Sequence, residues 1–299
     1  MKWRILSGSG LIGAMILAAY AMPLPGIWAL LVGISALALH EFYGMMRSAG
    51  YPVFRLWGQF GNLALVTATF LGLAFGTVSA AEWEIAALFL AVLVVLIRQF
   101  PQKHNEQPVP TIACTLLGLL YVSFLFNFFT KLALAFDAPS SMMAPVGATG
   151  RLLVFLLVVV VKTTDAGAYF VGRYLGPVLG PHLLFPRISP KKTWEGLIGG
   201  LLAGVLGGCL FFLAAGVPAG EGVRALGRIQ MSWGELVLLS LVLAGAGAVG
   251  DLVESLIKRA AGAKDSGHMI PGMGGILDIF DSLLVTAPIL YFAVRVFLL

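Results

Sequence analysis

The stretch LLVFLLVVVVKTTDAGAYFV, Leu152 to Val171, runs ten apolar residues without a break and then sets a lysine and an aspartate three positions apart. Twenty mostly apolar residues are what a helix needs to cross a bilayer. Residues alternating apolar and polar, as a membrane barrel strand requires, are absent here and along the rest of the chain. The same texture extends outward: 59% of the 299 residues are hydrophobic and 11% charged, with a mean hydropathy of +0.96. A water-soluble domain could not cover that composition with polar surface, so the reading is an all-α polytopic membrane protein.

Cutting the chain at its charged and Pro/Gly-rich pieces predicts nine transmembrane helices. They fall near Ile5–Tyr20, Gly26–Met46, Phe60–Ser79, Ile85–Ile97, Thr111–Phe136, Leu152–Val171, Leu197–Ala215, Leu236–Leu256 and Ser282–Leu298. Five lie in an N-terminal region, 1–150, and four in a C-terminal region, 151–299. The start, MKWRILSGSGLIGAMILAAYA, has the basic and apolar parts of a signal peptide. A second apolar segment follows at once behind Pro23-Leu24-Pro25-Gly26, so a retained first helix of a hairpin fits better.

Lys and Arg in short loops stay cytoplasmic. With the N-terminus inside, thirteen basic residues fall on that side and five outside, Lys131, Arg151, Arg224, Arg228 and Arg295, with Lys162 left within a span. The bias puts the polar stretches Gln99–Pro110, Gly172–Glu195 and Arg259–Asp281 in the cytoplasm. The net charge of +5 is spread over short loops rather than one basic face, which argues for lipid headgroups or a phosphorylated substrate and against nucleic acid. Cys114 and Cys209 stand singly in apolar spans and read as small core residues.

Charges at membrane depth are costly, so each is a functional candidate unless paired. Lys162 and Asp165 are spaced to neutralise each other on a helix; Asp165, followed by three small residues, equally suits a polar cavity. In PRISPKKTWEGLIGG, 186–200, Ser189, Lys191 and Lys192 precede a helix starting near Trp194. Its N-terminus could hold a phosphate, although Thr193 as a cap and Trp194 as an interfacial anchor account for the spacing. In GDLVESLIKRAAGAKDSGHMIPGMGGILDIFDS, 250–282, Asp251, Glu254, Ser255 and Lys258 share one helical face. Beyond a glycine-rich turn, Asp278 and Asp281 share another. Two carboxylates brought together repel, and the usual remedy with phosphate substrates is Mg²⁺. Lys258, Arg259 and Lys264 suit the triphosphate of a nucleotide.

Together, Ser255-Leu-Ile-Lys258-Arg259, Lys264-Asp265, Ile270-Pro271-Gly272, Gly274-Gly275, Asp278 and Asp281 resemble the signature of the phosphatidate cytidylyltransferase (CDP-diacylglycerol synthase) family. TTDAGAYFVGRYLG and ISPKKTWEGLIGG resemble upstream segments of the same family, in order. The N-terminal half matches mainly in hydropathy. Met273 and Ile279 stand where the commonest signature has His and Arg, so no role is carried over there; His268 reads as a polar loop residue. The resemblance implies transfer of the cytidylyl group of CTP to phosphatidate, in a cytoplasm-facing polar active-site cavity of the inner membrane. It implies Mg²⁺ held by Asp251, Asp278 and Asp281, and leaves a second cation open. Lys258, Arg259 and Lys264 would bind the phosphates of CTP, Ser189, Lys191 and Lys192 would contact CTP or the lipid phosphate, and Gly274 and Gly275 would be substrate-binding. Asp165 would be an outlying member of the site. It also implies a homodimer. A CTP-dependent polyprenol kinase and a cation-coupled transporter are the rival readings of the same charges.

Overall fold

Pro23 and Pro25 open the first described helix, α1 (Leu24–Ser48), where missing N–H groups cost nothing. It ends as Gly50, at φ +85°, turns left-handed, with Gly50 N donating to the Arg47 carbonyl and Tyr51 N to that of Met46. The computed structural model describes residues 20–76, 80–102, 105–137, 141–180, 182–267, 269 and 274–298. The first expected span therefore lies outside the described residues. The other helices are α2 (Arg55–Phe75), α3 (Ala80–Arg98), α4 (Pro108–Leu134, with a π-helical segment at Leu119–Phe124), α5 (Ala148–Tyr174), α6 (Trp194–Ala215), α7 (Trp233–Ala260) and α8 (Ile276–Ala293, continued by a π turn to Leu298). Among the described residues seven of these, all except α3, are long and apolar enough to cross a membrane. The chain is thus a multi-pass helical membrane protein. At the place of the expected fourth span lies a 19-residue helix, α3, with Glu82 and Glu84 in its first two turns, which is not among those seven.

Two short sheets interrupt the helices. A hairpin pairs β1 (Leu183–Phe185) with β2 (Ser189–Thr193), and the expected Gly216–Ser232 loop is a three-stranded antiparallel sheet of β3 (Val217–Gly220), β4 (Val223–Leu226) and β5 (Ile229–Ser232).

The chain divides into two compact units, Met1–Gly147 with Ala260–Phe280, and Ala148–Arg259 with Asp281–Leu299. In the first, Tyr43 is fully buried, donates to the Thr115 carbonyl at 2.8 Å, and lies flat where any side chain at Gly58 or Gly118 would stand. Backbones of α1, α2 and α4 thereby approach closely, the packing that small residues permit in lipid. Lys131, counted above among outer charges, is half-buried near the end of α4 and bonded to buried Glu84 of α3 at 2.6 Å, with Asn127 donating to the other Glu84 oxygen at 3.1 Å.

In the second unit, Gly196, Gly200, Gly204 and Gly208 line one face of α6 at four-residue steps. A Cβ at Gly200 would sit 2.9 Å from the Thr164 carbonyl, and one at Gly196 3.0 Å from that of Ala168, so α5 and α6 pack backbone to backbone. Cys114 and Cys209 are free and half-buried.

Candidate active site

Helix α6 begins where the sequence indicates. Thr193 is extended, and its hydroxyl accepts from Gly196 N at 3.1 Å, satisfying one of the N–H groups a helix start leaves open. That cap fixes the end of β2, and with it Lys192. On α5 the residues Asp165, Tyr169 and Arg173 recur at four-residue steps, while α7 brings in Asp251. The result is a cavity of about 510 Å³ whose polar wall includes Asp165, Tyr169, Arg173, Lys192, Thr193 and Asp251.

Charge inside it is paired. Lys192 Nζ lies 2.8 Å from Asp251 Oδ2, and Lys162 Nζ 3.3 Å from Asp165 Oδ2, so Asp165 both pairs off and faces the cavity. Ser255 Oγ donates to Asp251 Oδ1 at 3.4 Å. Arg173 donates to the Tyr169 hydroxyl at 3.0 Å. The third acid is Asp281, buried on α8 and an electrostatic neighbour of Asp251, Asp165 and Lys162. Glycine permits the approach. A Cβ at Gly250 would meet the Asp281 carbonyl at 2.9 Å and Ser282 Cα at 3.0 Å, so α7 and α8 cross in backbone contact beside these two aspartates.

The structure thus brings together Asp165, Lys192, Asp251 and Asp281 from the sequence candidates. Ser189 and Lys191 share strand β2 with Lys192, but Ser189 is not part of the cavity wall, and only the backbone of Lys191 is described. Lys258 is engaged one helical turn away by the fully buried Glu254. Arg259 is exposed at the end of α7.

The remaining candidates lie in the first unit. Lys264 is exposed; Gly274 has φ +93°, a conformation glycine adopts without strain. Asp278, in the first turn of α8, accepts from Gly275 N at 2.7 Å and Ser266 N at 3.0 Å, the reach-back of a capping box. Met273 and His268 lie outside the described residues, while Ile279 is buried.

Sequence reading missed three residues. Tyr169 and Arg173 follow Asp165 at helical spacing, a signal that was available. Glu41 was legible only as a charge inside an apolar segment; it is buried on α1 and accepts from Leu277 N at 2.9 Å and Ser266 Oγ at 3.3 Å.

Among the described residues no three His, Cys, Asp or Glu side chains are clustered as a ready metal cage. Asp251 and Asp281 nevertheless offer hard oxygen donors in the number Mg²⁺ commonly takes from a protein, one or two carboxylates, with phosphates and water completing the shell.

Apolar helices around a cavity lined by paired acidic and basic side chains define a multi-pass membrane protein with a polar site. The profile of the cytidylyltransferase family matches residues 2–297, and the chain belongs to that family. It is 34% identical over 212 residues to the phosphatidate cytidylyltransferase of Bacillus subtilis (strain 168), covering 71% of this chain and 66% of that protein. Over 142 residues it is 45% identical to the protein of that name from Brucella suis, covering 48% and 46% of the two chains. A Synechocystis protein of the same name is 34% identical over 205 residues, 62% of this chain and 63% of the relative. The matches span less than two thirds of the B. subtilis protein and less than half of the Brucella one.

Proposed function

We propose that this chain transfers the cytidylyl group of CTP to phosphatidate, giving CDP-diacylglycerol and pyrophosphate for phospholipid synthesis. The observation that carries the reading is the cavity of the second unit, where Lys192 and Arg173 stand beside Asp165 and Asp251 among apolar helices. Family membership and the names of the relatives support it.

In this reaction a phosphate oxygen of phosphatidate attacks the α-phosphorus of CTP. The bond from that phosphorus to the β-phosphate oxygen breaks, and pyrophosphate leaves with the electron pair. A phosphomonoester has a second pKa near ~6, so at neutral pH it is largely a dianion and needs no strong base. The protein's task is to align two polyanions and offset their repulsion. Lys192 is held in place by Asp251 at 2.8 Å, ready to exchange that carboxylate for an incoming phosphate. Arg173 supplies a second cation on the same wall, steadied by Tyr169. Lys258, Arg259 and Lys264 are assigned to the phosphates of CTP, Ser189 and Lys191 to CTP or the lipid phosphate, and Gly274 and Gly275 to close backbone approach. Asp251 and Asp281 would hold Mg²⁺, with Asp278 one turn earlier on α8 as the third acid; bound there, the ion supplies positive charge against the phosphates.

Nine spans, with α3 and the N-terminal segment counted, put the N-terminus, the cavity and the Ala260–Phe280 loop on the cytoplasmic face of the inner membrane. Setting aside Lys131, which is paired with Glu84, leaves thirteen basic residues inside against four outside.

The test is turnover by the purified protein in detergent with phosphatidate and CTP labelled at either the α or the γ position. Label from the α position in lipid, with pyrophosphate released, is expected. Label from the γ position in lipid would make the protein a kinase and end this reading, as would the absence of turnover without an ion gradient.

A further inference from the structure

A buried carboxylate is expensive unless hydrogen bonds replace its water. Glu41 is only 6% exposed on α1, within an apolar helix. Its Oε2 accepts from Ser266 Oγ and Leu277 N, groups 225 and 236 residues further along the chain, while Oε1 has no hydrogen-bond partner among the described residues. Compensation is therefore partial, and what the carboxylate holds is the Ser266 hydroxyl, between α7 and α8, and the Leu277 amide in the first turn of α8.

The glycines of that loop are fitted to it. A Cβ at Gly267 would lie 2.6 Å from Glu41 Oε1, and one at Gly275 would collide with Oε2. Gly267, midway along the loop, and Gly275 at its far end thus both approach one side chain. Asp278 holds the same two stretches locally, through Ser266 N and Gly275 N. Two carboxylates, one near in sequence and one remote, clamp residues 266–267 to residues 275–277. Lys264 stands two residues before the clamp and Gly274 one residue before its far end.

We propose that Glu41 is a positioning residue for nucleotide binding: by holding the Ser266 hydroxyl and the Leu277 amide together it presets the loop that carries Lys264 and Gly274 toward the phosphates of CTP. It touches no substrate. The proposal rests on the CTP reading of that loop given above.

Three variants, Glu41→Ala, Glu41→Gln and Ser266→Ala, test it by two readouts, hydrogen exchange at the loop amides and the Michaelis constants for CTP and phosphatidate. In Glu41→Ala the Leu277 amide, which donates to Glu41 at 2.9 Å, should exchange about tenfold faster or more, the loss expected for a bond to a charged acceptor. The KM for CTP should rise about tenfold while that for phosphatidate and kcat stay within about threefold. Glu41→Gln keeps an acceptor oxygen and should restore most of both. Ser266→Ala removes one bond only and serves if Glu41→Ala does not fold; it should give the same pattern at smaller amplitude. Unchanged exchange at Leu277 overturns the proposal, and so does faster exchange with an unaltered KM for CTP, or equal rises in both Michaelis constants. A wild-type protein that does not turn over CTP would instead refute the functional reading before any variant is made, and the exchange data would still judge the clamp.

Discussion

Lys192→Met separates a structural lysine from a functional one. The ion pair it breaks, with Asp251 at 2.8 Å, joins side chains 25% and 36% exposed. Pairs so open to solvent contribute less than ~1 kcal/mol to stability. Thermal unfolding in detergent should therefore shift by only a few degrees. If Lys192 neutralises phosphate charge as the new bond forms, its loss removes a charge positioned for the transition state, an effect of about 3–4 kcal/mol, or 10²–10³ in kcat. The two magnitudes differ enough for one assay to decide, initial rates of pyrophosphate release at saturating phosphatidate and varied CTP. Lys192→Arg should keep more activity than Lys192→Met, since the charge remains while the geometry changes. A Lys192→Met rate within tenfold of wild type would refute the assignment.

Asp281→Asn should abolish turnover with the protein folded and inserted, because it removes charge rather than packing; near-normal rates would end its metal role. Asp278→Asn should also lose activity, while Asp278→Ala should in addition destabilise by about 0.5–2 kcal/mol through the lost capping bonds, read as a larger drop in unfolding temperature. Lys131→Met should cost about 3–5 kcal/mol by stranding buried Glu84, and Lys131→Met with Glu84→Gln should recover most of it; thermal unfolding of the two variants measures both. Single cysteines on a background without Cys114 and Cys209, probed from outside with an impermeant thiol reagent, should label at Ala219 but not at Gly180 or Ala260. Labelling of Ala260 would reverse the proposed orientation.

How much of this was legible depends on the range of the interaction. The apolar runs announce α1, α2 and α4 to α8 because depth in a bilayer is a property of composition over about twenty residues. The start of α6 behind Thr193 and the pairing of Lys162 with Asp165 were readable for the same kind of reason, since a cap and an i,i+3 contact lie within one helical turn. The aspartates of the Ala260–Phe280 stretch and of α8 were visible through their motif.

Packing decided the rest. That Asp251 meets Lys192, that Lys131 is paired with buried Glu84 rather than loose in a loop, and that Glu41 bonds groups more than two hundred residues away all follow from which helix faces which. Hydropathy states how deep a residue sits and is silent about its neighbour. The glycine stripe of α6 and Gly250 on α7 supply the missing information only once the helices are assembled, because a glycine's meaning is the backbone that comes to occupy the space it leaves. The sequence by itself determined the class of protein, the capped starts and the chemical groups on offer; the tertiary structure alone decided which charges share a cavity, since pairs far apart in the chain are chosen by close approach of backbones and by no local preference.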